Sequence, residues 1–160
     1  GENGNLFNKI SDINEERIEK LFINYSEKIG GFNNKKVAVL GLAFKPNTDD
    51  VREAPAHYLI KMLLENGATV TAYDPEAMET TKVVLGDKIK YAANSYNALE
   101  NADALIIVTE WNVFRNPDFE MIKSKLKQPV IFDGRNLYDL DKMKHMDFTY
   151  YSIGRVAIKK

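Results

Sequence analysis

The sequence contains no cysteine among its 160 residues, and this absence excludes several kinds of chemistry. The chain has no disulfide framework, no thiolate metal site and no cysteine nucleophile. Because a reducing compartment suits such a composition, we expect a cytoplasmic protein. The 22 Lys and Arg residues nearly balance the 23 Asp and Glu residues. No overall charge therefore favours nucleic acid or an anionic membrane as a partner.

Long apolar runs are missing as well. The longest ones, such as residues 104–108, are far shorter than the roughly 20 residues that a membrane-spanning helix needs. The chain also opens without the charged and then apolar pattern of a secretory leader. We therefore expect a soluble, unexported protein without a membrane partner. Because the first residue is Gly1 rather than Met, we also expect a fragment of a longer protein.

The first part of the chain has the pattern of one amphipathic helix. Apolar residues recur at helical spacing between residues 12 and 29, and Asp12 with Glu15 predict a capping box at the helix start. The glycines and asparagines at 30–34 accept left-handed backbone geometry and predict its end. The sequence thus divides into an N-terminal segment with this helix and a globular domain: residues 1–34 and 35–160.

The globular part alternates short apolar runs with helical stretches. Six runs read as strands: 37–43, 69–74, 89–93, 104–110, 129–133 and 148–153. Several are apolar at consecutive positions, which is typical of parallel strands covered by helices on both faces. One intervening helix is predicted to begin with Asn116 as its N-cap and Pro117 as its first residue. The alternation predicts an α/β fold with a doubly wound, Rossmann-like parallel sheet of order 3-2-1-4-5-6.

Ligands of such a sheet bind outside the carboxyl ends of the strands. The loop after the first strand lacks G-x-G-x-x-G, so the tight glycine turn that approaches a dinucleotide pyrophosphate is missing and a standard NAD site is disfavoured. Asp74 ends the second strand, where dinucleotide-binding domains carry their ribose-binding acid. Without the glycines, we interpret Asp74 as a turn residue before Pro75. We interpret Trp111, beyond the fourth strand, as a packing residue.

Three cations lie on the loops that follow the first and fifth strands. Lys45, Arg52 and Arg135, together with the amino end of a helix predicted to begin near Arg52, suit a diphosphate. Spacing alone leaves equally open that Lys45 and Arg52 are solvated charges paired with nearby carboxylates. We predict Asp50 as the N-cap of that helix. His57 and His145 have no partners at metal-ligand spacing, and we assign them no function.

These motifs also carry a family resemblance. The run VLGLAFKPNTDDVREAP at 39–55, with YDP at 73–75, TEW at 109–111 and FDGRN at 132–136, resembles the C-terminal UDP-binding domain of UDP-glucose 6-dehydrogenases. The similarity covers about residues 12–155. The first helix resembles the tail of the long central helix that joins the two halves of those enzymes and builds their dimer.

The resemblance implies a parent enzyme that oxidises the C6 alcohol of UDP-glucose to a carboxylate, in two hydride transfers to NAD and through a cysteine-bound intermediate. It implies that Phe44 and Lys45 contact the UDP-sugar and that Arg135 pairs with its diphosphate or sugar end. It also implies that Arg52 reaches an NAD bound mainly by a separate N-terminal domain. Since the nucleophilic cysteine and the glycine-rich unit are absent here, we expect this chain to be inactive alone.

Two alternatives remain open. The first is the same domain of a GDP-mannose or UDP-N-acetylmannosamine dehydrogenase, although Pro46-Asn47-Thr48 and the REAP run at 52–55 resemble the UDP-glucose branch more closely. The second is a non-catalytic assembly module, in which the helix matters and the cleft binds no nucleotide. A phosphoacceptor receiver is excluded because no acidic pair follows the first strand and Ala92-Ala93 end the third.

Overall fold

The computed structural model describes the backbone of residues 2–160 and the side chains of residues 15–160. Helices and strands alternate along this part of the chain: α1 (Glu2–Ile29), β1 (Lys36–Leu40), α2 (Pro55–Glu65), β2 (Thr69–Tyr73), α3 (Met78–Leu85), β3 (Lys90–Tyr91), α4 (Ser95–Ala98), β4 (Ala104–Ile107), α5 (Phe119–Lys125), β5 (Val130–Asp133), α6 (Leu140–His145) and β6 (Thr149–Tyr151). Short 3₁₀ turns occupy Gly86–Lys88 and Asn112–Phe114. No helix among the described residues is both long and apolar enough to cross a membrane.

The six strands form one parallel sheet in the order β3-β2-β1-β4-β5-β6, which confirms the predicted fold class. β1 and β4 lie in the centre, and every residue of β4 is buried. The strands are shorter than the predicted apolar runs. The reason is that burial continues past their ends: Leu42 and Ala43, for example, are buried but already belong to the loop after β1.

The ends of the helices differ from the predictions. α5 begins at Phe119, and its N-cap is Asp118, whose side chain accepts a hydrogen bond from the Met121 amide at 3.1 Å. The predicted cap at Asn116 is therefore wrong. Both residues are good N-caps, and only the path of the chain around Pro117 decides between them. α1 begins at Glu2 rather than near Asp12, whose side chain lies outside the described ones.

α1 packs its inner face on the sheet. Ile18, Phe22 and Tyr25 are buried and belong to the same apolar core as the strands. The ring of Phe22 stacks on Phe32 with centroids 5.5 Å apart, and Tyr25 stacks on Phe132 of β5 at 4.3 Å. As predicted, the helix ends where Gly30 and Gly31 take left-handed backbone angles, at φ 77° and 91°. The helix and the carboxyl edge of the sheet therefore form the walls of one cleft.

Candidate functional site

A cavity of about 300 Å³ lies at the carboxyl edge of the sheet, where α1 meets the loops after β1, β4 and β5. Phe44, Lys45 and Arg135, the three residues predicted to contact a UDP-sugar, all line this cavity. The other lining residues are Arg17, Ile18, Glu53, Pro55, Tyr58 and Glu110. The fold thus brings together Arg135 and the adjacent pair Phe44 and Lys45, whose two loops are far apart in sequence.

The loop after β1 turns sharply away from the sheet at Gly41, where φ is 100°. The Thr109 hydroxyl then donates a 2.8 Å hydrogen bond to the Ala43 carbonyl, which ties this loop to the one after β4. Beyond that point the chain emerges, so that Phe44 is 50% exposed and Lys45 is exposed. The Phe44 amide donates to the Asp50 carbonyl at 2.9 Å and closes the loop. An aromatic face and an ammonium group are therefore presented side by side at the cavity.

Arg135 reaches the cavity from the loop after β5. The buried carboxylate of Asp133 holds that loop, because it accepts hydrogen bonds from the amides of Arg135 at 2.9 Å and Leu137 at 2.7 Å. The hydroxyl of Tyr150 donates a hydrogen bond to the same carboxylate at 2.5 Å. Burial and this contact with Asp133 raise the pKa of Tyr150 above its ordinary value, so the phenol remains a donor.

The guanidinium of Arg135 forms an ion pair with Glu110, from the loop after β4. Glu110 is mostly buried and Arg135 is about half exposed. An anion that binds Arg135 must share the guanidinium with Glu110 or displace it. Sequence reasoning missed Glu110 as a site residue. Its position could have indicated this role. Glu110 follows β4 and Arg135 follows β5, and these two strands are neighbours in the predicted order, so their carboxyl-end loops lie side by side.

Arg52 lies outside the cavity and is 88% exposed. Its Nε and Nη2 atoms donate to the carboxylate of Asp50 at 3.0 and 3.1 Å. These hydrogen bonds, with the charge of Arg52, lower the pKa of Asp50. Asp50 is therefore not the N-cap of α2, which begins at Pro55 with Ala54 before it and no side-chain cap. For Arg52 the solvated pair described in the sequence analysis is present; Lys45 forms no ion pair with a described side chain.

Arg17 is another cavity residue that sequence reasoning missed. It lies on α1 and is exposed. It also borders an adjoining, mostly apolar cavity of about 410 Å³, which shares Ile18, Pro55 and Arg135 with the first one. Helical spacing identifies the apolar face of α1 but does not show which loops that face meets. With Arg17, three cations line the cavity.

Asp74 and Trp111 both adopt the roles predicted for them. Asp74 accepts hydrogen bonds from the amides of Glu76 and Ala77, each at 2.9 Å, and so forms the turn after β2. Trp111 is buried, and its indole N–H donates to Asp74 at 3.0 Å. The acid at the ribose position of the fold thus points into the protein.

Comparison with known proteins identifies the family. The model of the UDP-glucose/GDP-mannose dehydrogenase family, UDP binding domain, matches residues 38–140. The chain belongs to this family. The matched range contains both loops that carry Phe44, Lys45 and Arg135, whereas Arg17 lies before it.

Relatives within the UDP-glucose/GDP-mannose dehydrogenase family are similar over most of this chain. It is 40% identical to the UDP-glucose 6-dehydrogenase TuaD of Bacillus subtilis (strain 168) over 154 residues, which are 96% of this chain and 33% of TuaD. The structure of a UDP-glucose dehydrogenase from Pyrobaculum islandicum matches with 36% identity and a TM-score of 0.65, over 79% of this chain and 27% of that one. A UDP-D-ManNAc dehydrogenase from Pyrococcus horikoshii matches with 26% identity and a TM-score of 0.68, over 88% of this chain and 31% of that one. The chain spans about a third of the length of the curated relatives it matches.

Proposed function

We propose that this chain is the UDP-sugar-binding domain of an NAD-dependent UDP-glucose 6-dehydrogenase, which oxidises UDP-glucose to UDP-glucuronate. The observation that carries the proposal is the single cavity lined by Phe44, Lys45 and Arg135 at the carboxyl edge of the sheet. That edge is where doubly wound folds bind their ligands. The family match at residues 38–140 supports the choice of a UDP-containing ligand.

The cavity has the chemistry that a diphosphate needs. The planar guanidinium of Arg135 presents two parallel N–H donors to phosphate oxygens, and Lys45 adds a mobile point charge beside them. The half-exposed ring of Phe44 offers an apolar face to a sugar or a base. A volume of about 300 Å³ is at the lower end for small-molecule sites. The site is therefore suited to the diphosphate and its immediate neighbours, with more surface supplied by a second domain.

The site at which doubly wound folds bind NAD lacks its usual features in this sheet. The glycine-rich turn is absent, and Asp74 is saturated by hydrogen bonds inside the protein. We propose that NAD is bound mainly by a separate N-terminal domain of the same protein, which also supplies the cysteine nucleophile. Arg52 does not line the substrate cavity, and its side chain is 88% exposed. We assign it to the NAD side of the closed cleft.

The identities favour UDP-glucose over other nucleotide sugars. The chain is 40% and 36% identical to the two UDP-glucose dehydrogenases compared above and 26% identical to the UDP-D-ManNAc dehydrogenase. We further propose that the segment 1–34 contains the end of a connecting helix, α1 (Glu2–Ile29), and that the parent is a homodimer through this helix. An assembly module without a nucleotide site is the second candidate function, and nucleotide binding separates the two.

Isothermal calorimetry with UDP and UDP-glucose tests the proposal on this chain. We expect the wild type to bind UDP, and Lys45→Ala and Arg135→Ala each to lose at least tenfold in affinity. Charge-assisted contacts of this kind are worth about 1.5–3 kcal/mol, and ~1.4 kcal/mol is one decade. Arg135→Lys should recover only part of the loss, because an ammonium cannot reproduce the two-pronged contact.

Arg115→Ala is the matched control. Arg115 is also exposed but follows the turn Asn112–Phe114 and does not line the cavity. We expect its affinity for UDP to equal that of the wild type, with circular dichroism verifying that all variants fold. Equal affinities for Arg115→Ala and Arg135→Ala would contradict the assigned site, and a wild type that binds no nucleotide would favour the assembly module.

A further inference from the structure

Asp74 is 1% exposed, although it directly follows β2 at the rim of the ligand-binding edge. Five N–H groups donate to it from three different loops. An ionised carboxylate has about four acceptor positions, so this side chain has none left for a ligand. Its function must therefore be sought in the groups that it holds.

The first loop held by Asp74 carries two residues of the substrate cavity. The amides of Leu42 and Ala43 donate to Oδ2 at 2.7 and 3.0 Å. Phe44 and Lys45 follow immediately and line the cavity. Because Leu42 and Ala43 are buried, their amides have no water to replace a lost acceptor. The carboxylate thus fixes the point from which the two side chains emerge.

The second loop held by Asp74 is the loop after β4, which contacts Arg135. The indole N–H of Trp111 donates to the same Oδ2 atom at 3.0 Å. Trp111 directly follows Glu110, the ion-pair partner of Arg135. The hydrogen bond from Thr109 to the Ala43 carbonyl joins the two loops a second time. A single carboxylate oxygen therefore accepts hydrogen bonds from two loops: the loop that carries Lys45 and the loop that carries Glu110, the partner of Arg135.

The other oxygen of Asp74 anchors the carboxylate to its own turn. Oδ1 accepts from the amides of Glu76 and Ala77, both at 2.9 Å, so the side chain cannot rotate without breaking both hydrogen bonds. We infer that Asp74 is a positioning residue of the UDP-sugar site: it fixes the loop of Phe44 and Lys45 relative to the loop of Glu110 and Arg135. The inference rests on the proposed function for the identity of the ligand, but the positioning itself is testable without ligand.

Asp74→Asn is the principal variant, because it keeps the shape and one oxygen while the new amide group faces N–H donors. Asp103→Asn is the matched control. The Asp103 carboxylate also accepts a hydrogen bond from a backbone amide, that of Lys36 at 2.8 Å, but at the opposite, amino edge of the sheet. Trp111→Phe is a milder second variant, which keeps an apolar ring and removes one donor. It serves if Asp74→Asn does not fold.

Amide hydrogen exchange of this chain is the first readout. In Asp74→Asn we expect exchange at residues 42–45 and 109–112 to be faster by about tenfold or more, because the hydrogen bonds that close these loops are lost. Trp111→Phe should accelerate the same loops to a smaller extent, and Asp103→Asn should accelerate neither. The emission of Trp111, the sole tryptophan, should change in Asp74→Asn but not in Asp103→Asn. Unchanged exchange in both loops of the folded Asp74 and Trp111 variants would overturn the inference.

Calorimetry with UDP is the second readout. We expect about a tenfold weaker affinity in Asp74→Asn, a smaller loss in Trp111→Phe and none in Asp103→Asn. An equal loss in Asp103→Asn would show a general effect of destabilisation and would also overturn the inference. If the exchange pattern is as expected while the wild type binds no UDP, the positioning of the loops stands and the proposed function fails.

Discussion

At the residue scale, the path of the loop after β1 depends on Gly41. Its φ of 100° is unfavourable for a residue with a side chain, and an added Cβ would lie 2.5 Å from the Thr109 amide nitrogen. Hydrogen bonds prevent the backbone from moving aside, because the Gly41 amide donates to Tyr73 and the Val108 amide donates to Leu40, both at 2.9 Å. Only glycine therefore allows β1 to lie this close to the loop after β4.

We expect Gly41→Ala to lower the free energy of unfolding by about 2–5 kcal/mol, the sum of backbone strain and overpacking. Gly154→Ala is the matched control, since Gly154 also has a positive φ, of 68°, but has nothing within 4 Å of an added Cβ. The free energy of unfolding of Gly154→Ala should fall by less, because this variant has backbone strain but no overpacking. Urea unfolding measures both variants, and similar losses for the two would show that the approach of Gly41 to Thr109 is unimportant.

The residues that line the cavity differ in how well the sequence predicts them. That Phe44, Lys45 and Arg135 line one cavity was predictable, because each stands in a distinctive run at a strand end. Glu110 stands in such a run too. Its ion pair with Arg135, however, joins residues that are distant in sequence, and the spacing of residues along the chain does not predict such a contact. Arg17 lies outside these runs, and its place in the cavity depends on how α1 packs.

At the element scale, α2 and α3 meet through a polar contact that should respond to pH. Nε2 of His57 on α2 lies 3.1 Å from the hydroxyl of the buried Thr81 on α3. Burial lowers the pKa of His57 below its ordinary value of 6.5, since the charged ring loses hydration between the helices. The unfolded chain therefore takes up a proton at a higher pH than the folded protein does.

The sign of the resulting pH dependence follows from this shift. The contribution of neutral His57 is complete above about pH 6.5 and is lost as the pH falls below that value, because protons then favour the unfolded chain. We expect the free energy of unfolding to fall between pH 7.5 and 5.5, and to fall less steeply in His57→Gln. Identical slopes in the wild type and His57→Gln would contradict the role of His57.

The elements themselves were largely predictable, and their ends were not. All six strands and their order followed from apolar runs that alternate with helical periodicity. The start of α5 was misplaced, because Asn116 and Asp118 are both suitable caps and local sequence does not choose between them. Asp50 was misassigned as a cap because its carboxylate instead binds the side chain and the amide of Arg52.

At the scale of the whole molecule, the cleft is formed jointly by α1 and the carboxyl edge of the sheet. Ile18 shows the connection, because it is buried in the core and also lines the cavity that contains Phe44, Lys45 and Arg135. Phe22 and Tyr25 fix the helix on Phe32 and Phe132. A displacement of α1 would therefore change the shape of this cavity.

The central claim is that Lys45 and Arg135 bind the diphosphate of UDP-glucose, and steady-state kinetics of the complete dehydrogenase tests it most directly. With NAD saturating, we expect Lys45→Ala and Arg135→Ala each to lower kcat/KM for UDP-glucose at least tenfold, for the loss of about 1.5–3 kcal/mol of charge-assisted binding. Arg52→Ala should instead raise the KM for NAD, with little effect on UDP binding. If kcat/KM for UDP-glucose is unchanged in Lys45→Ala and Arg135→Ala, the cavity described here is not the substrate site.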